Sequence, residues 1–190
     1  LPPTSWSANL QEAKIVSMGI YYSKRNSPKE YASDQLTRDI IANKKPRNTT
    51  GRIALGMFYF MKFFYPDFIN TADYIVPIPN YDQDELGSAV SITEALSNLT
   101  TKNSIQQTPF MNMLKKNFTE KMKNMYRSQR KKFYEEHTDA FVVADGADII
   151  GKNILLVDDI ITTASTMRFC KNKLEEKGAN VSAISAGLTL

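Results

Sequence analysis

Apolar residues recur along this chain with two different periods, and the changes of period mark out its elements. Residues 13–22 are rich in Ile, Val, Met and Tyr and read as a strand, followed by a turn over 23–28. From 32 to 42 the spacing becomes helical, with Leu36, Ile40 and Ile41 on one face. Pro46, Asn48 and two threonines make 44–50 a loop, and a second helix is predicted over 51–64, ahead of Pro66. Strands and helices then alternate. Tyr74-Ile75-Val76 is a short strand ended by Pro77 and Pro79, 88–99 an amphipathic helix and 139–144 a strand. The strand read over 153–157 is continuously apolar from Ile154, as in a central strand buried on both faces. A helix over 164–177 turns Met167, Cys170 and Leu174 inward and ends at Gly178, before a last strand over 180–188. This alternation implies an α/β fold with a mainly parallel central sheet and helices on both sides.

The 190 residues suit a single domain spanning 1–190. With 42% hydrophobic and 23% charged residues the chain has the composition of an ordinary globular protein. No apolar run approaches the roughly 20 residues that cross a bilayer. Leu1-Pro2-Pro3 does not begin a charged segment followed by an apolar one, so no secretory leader is read there. A single cysteine, Cys170, excludes an internal disulfide and fits a reducing, cytoplasmic setting. With His137 as the only histidine, a zinc site of the usual ligands is not expected, and His137, beside Glu135 and Glu136, reads as a surface residue. The net charge of +4 is compatible with an anionic partner but does not require one. Its densest source is 114–132, where Lys115, Lys116, Lys121, Lys123, Arg127, Arg130, Lys131 and Lys132 face one acid, Glu120. That stretch reads as a solvated helix or a mobile basic loop. Tyr126, Phe133 and Tyr134 among these cations are compatible with single-stranded nucleic acid, but an aromatic face packed inward is the stronger reading, so a nucleic-acid partner is not expected.

The chemistry concentrates in 154–167, where Ile154-Leu155-Leu156-Val157 runs into Asp158-Asp159, then Ile160-Ile161-Thr162-Thr163-Ala164-Ser165-Thr166 and a helix. The carboxyl end of a central strand is where open α/β sheets bind ligands. A helix start offers unpaired N–H groups and a positive dipole end, and small side chains let a phosphate approach them. Thr162, Thr163, Ser165 and Thr166 add hydroxyl donors. Asp158 and Asp159 can accept hydrogen bonds from vicinal hydroxyls or help to hold Mg2+, which prefers oxygen ligands. Phosphate on one side and a diol on the other describe a ribose 5-phosphate. An ordinary helix cap needs one such polar residue, not two acids and four hydroxyls.

This segment resembles the 5-phosphoribosyl-1-diphosphate (PRPP) signature of type I phosphoribosyltransferases, with alanine at position 164 where that pattern usually has glycine. More of the chain is similar to the ComF-like branch, related to the amidophosphoribosyltransferase domain. Asp73-Tyr74-Ile75-Val76-Pro77-Ile78-Pro79 resembles its Val-Pro-x-Pro strand end, whose following loop (here Ile78, Pro79, Asn80 and Tyr81) would contact pyrophosphate. Arg130 followed by Ala140-Phe141-Val142-Val143 resembles a second segment, and 19–22 and 36–45 fit its N-terminal part. The branch's Cys-rich ribbon is missing, and its Arg-Gly-Phe-Asn-Gln appears as Leu86-Gly87-Ser88-Ala89-Val90.

The resemblance implies a type I phosphoribosyltransferase fold, with a small N-terminal hood over about 1–50 and a core over 70–190. It implies that a nitrogen nucleophile displaces pyrophosphate from PRPP with the help of Mg2+. Ile161, Thr162, Thr163, Ala164, Ser165 and Thr166 would hold the 5-phosphate, and Asp158 and Asp159 the ribose and the metal. A closing basic loop would bring Lys115, Lys116, Arg127, Arg130, Lys131 or Lys132 to the pyrophosphate, with Arg130 and Lys131 assigned to catalysis. A homodimer would be usual for the family. The acceptor base would meet the hood, where Trp6, Tyr21 and Tyr22 suit either stacking or core packing. The alternative is a protein that senses PRPP or a nucleotide without turnover, or a ComF-like protein acting in DNA uptake or metabolism.

Overall fold

The computed structural model describes residues 13–44, 49–79, 87–103, 107–118 and 127–189. At its centre is a four-stranded, wholly parallel sheet. The strands are β1 (Ile15–Tyr21), β2 (Tyr74–Pro77), β5 (Asn153–Ile161) and β6 (Asn180–Thr189), in the order β1-β6-β5-β2. Parallel neighbours need crossovers, supplied by helices α1 (Pro28–Ser33), α2 (Gln35–Lys44), α3 (Thr50–Phe64), α4 (Asp67–Asn70), α5 (Ser88–Asn103) and α7 (Ser165–Glu175). A two-stranded antiparallel ribbon, β3 (Leu114–Lys116) with β4 (Phe141–Val143), and α6 (Arg127–Glu136) complete the architecture. The segment around Phe110 runs parallel to β2, with the Ile75 N–H donating to Pro109 O at 3.1 Å and the Met111 N–H to Ile75 O at 3.0 Å.

The apolar run 154–157 is buried on both faces because period-2 alternation sends its side chains to two cores. Ile154 and Leu156 join Met167, Cys170 and Leu174 of α7, together with the ribbon and α6. Leu155 and Val157 join Ile40 of α2, Met57 and Met61 of α3, and Ile92 and Leu96 of α5. Each such side chain taken out of water contributes about 1.5–3 kcal/mol. The expected α/β sheet with helices on both faces is therefore observed.

Several boundaries differ from the sequence reading. β5 does not stop at Val157 but continues to Ile161, because Asp158 pairs with Ser185, Ile160 with Gly187 and Ile161 with Leu188 of β6. The helix expected over 32–42 is two helices. Pro28 fits the first turn of α1, Asp34 is extended (φ −70°, ψ 129°), and its Oδ1 accepts the Thr37 N–H at 2.7 Å to start α2. The basic stretch is not one helix or loop: 114–116 is a strand, and Lys116 is buried with its ammonium 4.1 Å from the Phe118 ring centre. Part of the expected hood belongs to the sheet, since β1 pairs along its length with β6.

α2 lies across the ends of β1 and β6 because two glycines let it approach. A Cβ on Gly19 would stand 2.6 Å from Leu36 Cδ2, and one on Gly187 would stand 2.9 Å from Ile40 Cδ1 and Tyr21 Cβ. Asn43, fully buried, then ties three helices together. Its Nδ2 donates to Ser88 Oγ at 2.8 Å, and its Oδ1 accepts from the Thr50 hydroxyl. Among the described residues no helix is long and apolar enough to cross a membrane.

Candidate functional site

The carboxyl ends of β1, β5 and β6 open into a cavity of about 440 Å3. Its wall contains both acids and the whole 162–166 turn, joined by Tyr21, Ser23, Lys44 and Thr189. Because β5 continues through the acids, Asp158 and Asp159 leave the strand on opposite faces. Asp158 follows Leu156 toward α7, where its charge acts on Cys170, and Asp159 follows Val157 toward Tyr21. The cavity straddles the strand end and takes in both.

Each carboxylate is oriented by the next backbone amide. The Asp159 N–H donates to Asp158 Oδ1 at 2.8 Å, and the Ile160 N–H donates to Asp159 Oδ1 at 2.7 Å. Loss of hydration, and then the charge of Asp159, hold the Asp158 carboxyl well above the usual carboxylate range, against the opposing pull of the Asp159 N–H and of Lys44. Burial first, then Tyr31 and Asp159, raise the Tyr21 phenol, so it stays a neutral donor and acceptor. Cys170 is also raised, by burial and then by Asp158, which makes it an unreactive core thiol.

The turn joining β5 to α7 explains the glycine usually found at position 164 of the resembling pattern. Ala164 sits in the left-handed region (φ 55°, ψ 10°), which is free of steric cost only for glycine. It is also the N-cap residue of α7, and it makes no side-chain cap. Thr163 Oγ1 and Ser165 Oγ bond each other at 2.9 Å, Thr163 Oγ1 lies at the limit of reach of the Ser165 N–H (3.5 Å), and Thr166 Oγ1 meets Tyr134 OH at 2.8 Å. A helix start with its dipole end toward a cavity and an alanine as its cap residue is suited to an anion.

The remaining sequence candidates are placed unevenly. Ile78 is buried, and its N–H continues the β2–β5 ladder to Val157 O at 2.8 Å. Pro79 is half-buried, and Asn80 and Tyr81 lie outside the described residues. Among the described residues the cavity wall includes neither Ile78 nor Pro79. Arg130 and Lys131 lie on α6, whose Tyr134 stacks on Phe169 of α7 (4.7 Å between centroids) besides meeting Thr166, so this helix is fastened to the turn. Lys115 is exposed, and Lys132 pairs with Glu136 at 3.5 Å. Phe133 and Tyr134 are core residues, as the inward-packing reading expects, and His137 is exposed, stacked on Phe133. Trp6 lies outside the described residues.

Sequence reasoning missed Lys44, Ser23 and Thr189, and weighed Tyr21 only as a stacking or packing residue. No local pattern marks them, since only the docking of α2 on Gly19 and Gly187 carries Lys44 to the cavity.

No family model matches the chain. A stretch of 49 residues is 39% identical to adenine phosphoribosyltransferase from Corynebacterium kroppenstedtii, covering 26% of this chain and 27% of that protein. Part of this chain is similar to a phosphoribosyltransferase. A solved structure, that of the allosteric regulatory enzyme of purine biosynthesis, aligns over 70% of this chain and 25% of its own, at 22% identity and a TM-score of 0.41. The matched regions thus span about a quarter of each of these two proteins.

Proposed function

We propose that this cavity binds PRPP and that the chain is a phosphoribosyltransferase. One observation carries the reading: the paired acids and a helix start without a side-chain cap, the chemistry for a ribose diol and for a phosphate, open into one cavity at the end of a parallel sheet. The partial similarity to adenine phosphoribosyltransferase points the same way.

The amides and hydroxyls of 162–166 anchor the 5-phosphate, each charge-assisted hydrogen bond contributing about 1.5–3 kcal/mol. Asp158 and Asp159 accept the ribose hydroxyls through the oxygens their backbone bonds leave open. With the sugar fixed at both ends, displacement of pyrophosphate by a nitrogen nucleophile passes through an oxocarbenium-like state, which the nearby negative charge favours. Among the described residues no cluster of three or more His, Cys, Asp or Glu forms a metal cage. The two carboxylates of Asp158 and Asp159 are oxygen donors of the kind Mg2+ prefers; they would hold the ion, which would supply charge neutralisation of the phosphates. Cys170 and His137 take no part, since one is enclosed in the core and the other is exposed just past the end of α6.

A second reading, binding without turnover, is favoured by one observation. Ser88-Ala89-Val90 form the first turn of α5, where the resembling branch has Phe-Asn-Gln. One pair of experiments separates the readings: calorimetric titration of PRPP with and without Mg2+, then assay of pyrophosphate release with ammonia and a panel of nitrogenous bases. Binding with release supports the transferase. Binding with no release for any acceptor supports the non-catalytic protein, and absence of binding removes both.

A further inference from the structure

The expected partners of the pyrophosphate, the cations of 114–132 and the loop after β2, belong only in part to the described residues. Of the described basic side chains, the wall contains only Lys44. Several other described cations are engaged elsewhere. Arg52 is held by Asp39 at 2.6 Å, Lys152 by Asp73 at 3.8 Å and Lys173 by Glu176 at 2.7 Å, while Lys171 pairs with Glu175 and Lys116 covers the Phe118 ring. Lys44 is exposed, and among the described residues it forms no salt bridge.

Its position is fixed by its neighbours. Lys44 is the last residue of α2, one place after the buried Asn43 that links α2 to α3 and α5. Thr49 Oγ1 donates to Asp39 O at 2.6 Å and Arg52 clamps the Asp39 carboxylate, so the middle of α2 is fastened to the start of α3 as well. The ammonium lies close enough to Asp158 to act on that carboxylate.

Resting on the proposed reading, the placement of the turn and the acids leaves the C1 end of the ligand for the rest of the described wall. With the 5-phosphate in the 162–166 turn and the diol on Asp158 and Asp159, the substituent at C1 extends away from the turn. Tyr21, Ser23 and Lys44 supply wall that belongs neither to the turn nor to the acids. A diphosphate placed beside two carboxylates needs a cation there. We infer that Lys44 contacts the anionic diphosphate on C1 of the ribose ligand and sets the preference of the site for PRPP over ribose 5-phosphate.

The test compares PRPP with ribose 5-phosphate, which keeps the phosphate and the diol but lacks the diphosphate. Both are titrated in Mg2+ buffer into the wild-type protein, Lys44→Ala and Lys44→Arg. Loss of one charge-assisted contact is expected to weaken PRPP by roughly ten- to a hundredfold in Lys44→Ala. Ribose 5-phosphate should be nearly unaffected, and Lys44→Arg should keep most of the preference. Equal weakening of both ligands, or of neither, overturns the role of Lys44 while leaving the site intact. A wild-type protein that binds neither sugar phosphate overturns the PRPP reading itself, and this inference with it.

Discussion

Enclosure at the end of β5, and then the charge of Asp159, make Asp158 costly to ionise. Unfolding relieves both effects, so the folded chain holds this proton more tightly than the unfolded one. The stability it contributes is complete below the ordinary carboxylate range and is lost as pH rises through the raised folded value. A difference of one pH unit between the two values is worth about 1.4 kcal/mol. Asp158→Asn keeps an oxygen for the Asp159 N–H but cannot ionise. In urea unfolding of the ligand-free protein, the advantage of the variant over the wild type should be smallest below the ordinary carboxylate range and grow by about 1 kcal/mol or more as pH rises to neutral. Parallel stability curves across that range would show that Asp158 is not enclosed. The same cost has a functional side, because a bound cation offsets it and binding should strengthen as pH rises.

At the scale of elements, the junction from β5 to α7 carries strain where it also carries chemistry. Ala164 holds a left-handed conformation at φ 55°, in a position with 4% exposure, so neither solvent nor a side-chain bond compensates it. Ala164→Gly is expected to raise stability by about 0.5–1 kcal/mol, read as a higher urea midpoint at unchanged slope, without loss of affinity for sugar phosphate. A destabilised variant would mean that the turn is not left-handed. The junction itself was legible in the sequence, since an apolar run, two acids and a cluster of hydroxyls leave few alternatives. The end of β5 was not, because Asp is a poor strand former and only pairing with Ser185, Gly187 and Leu188 keeps it extended. The strand at 114–116 was hidden in the same way: its lysines suggested solvent, whereas pairing with 141–143 and the Phe118 ring bury Lys116.

For the whole molecule, alternation of period was enough to predict a parallel sheet between two helical layers, because both cores draw on every other residue of β5. What the pattern left open was which distant elements meet at the sheet's open end. Lys44 reaches the cavity through the seating of α2 on Gly19 and Gly187, and Tyr21 and Ser23 through the pairing of β1 with β6, contacts between residues far apart in sequence that no local window contains. The central claim, that the acids at the end of β5 and the turn behind them hold the two ends of one ribose phosphate, is tested most directly by calorimetric titration of PRPP into the wild type and into the Asp158→Asn, Asp159→Asn double variant. Saturable binding by the wild type, and its loss in a double variant that still unfolds cooperatively, is the expected result. Equal affinity in the two proteins would contradict it.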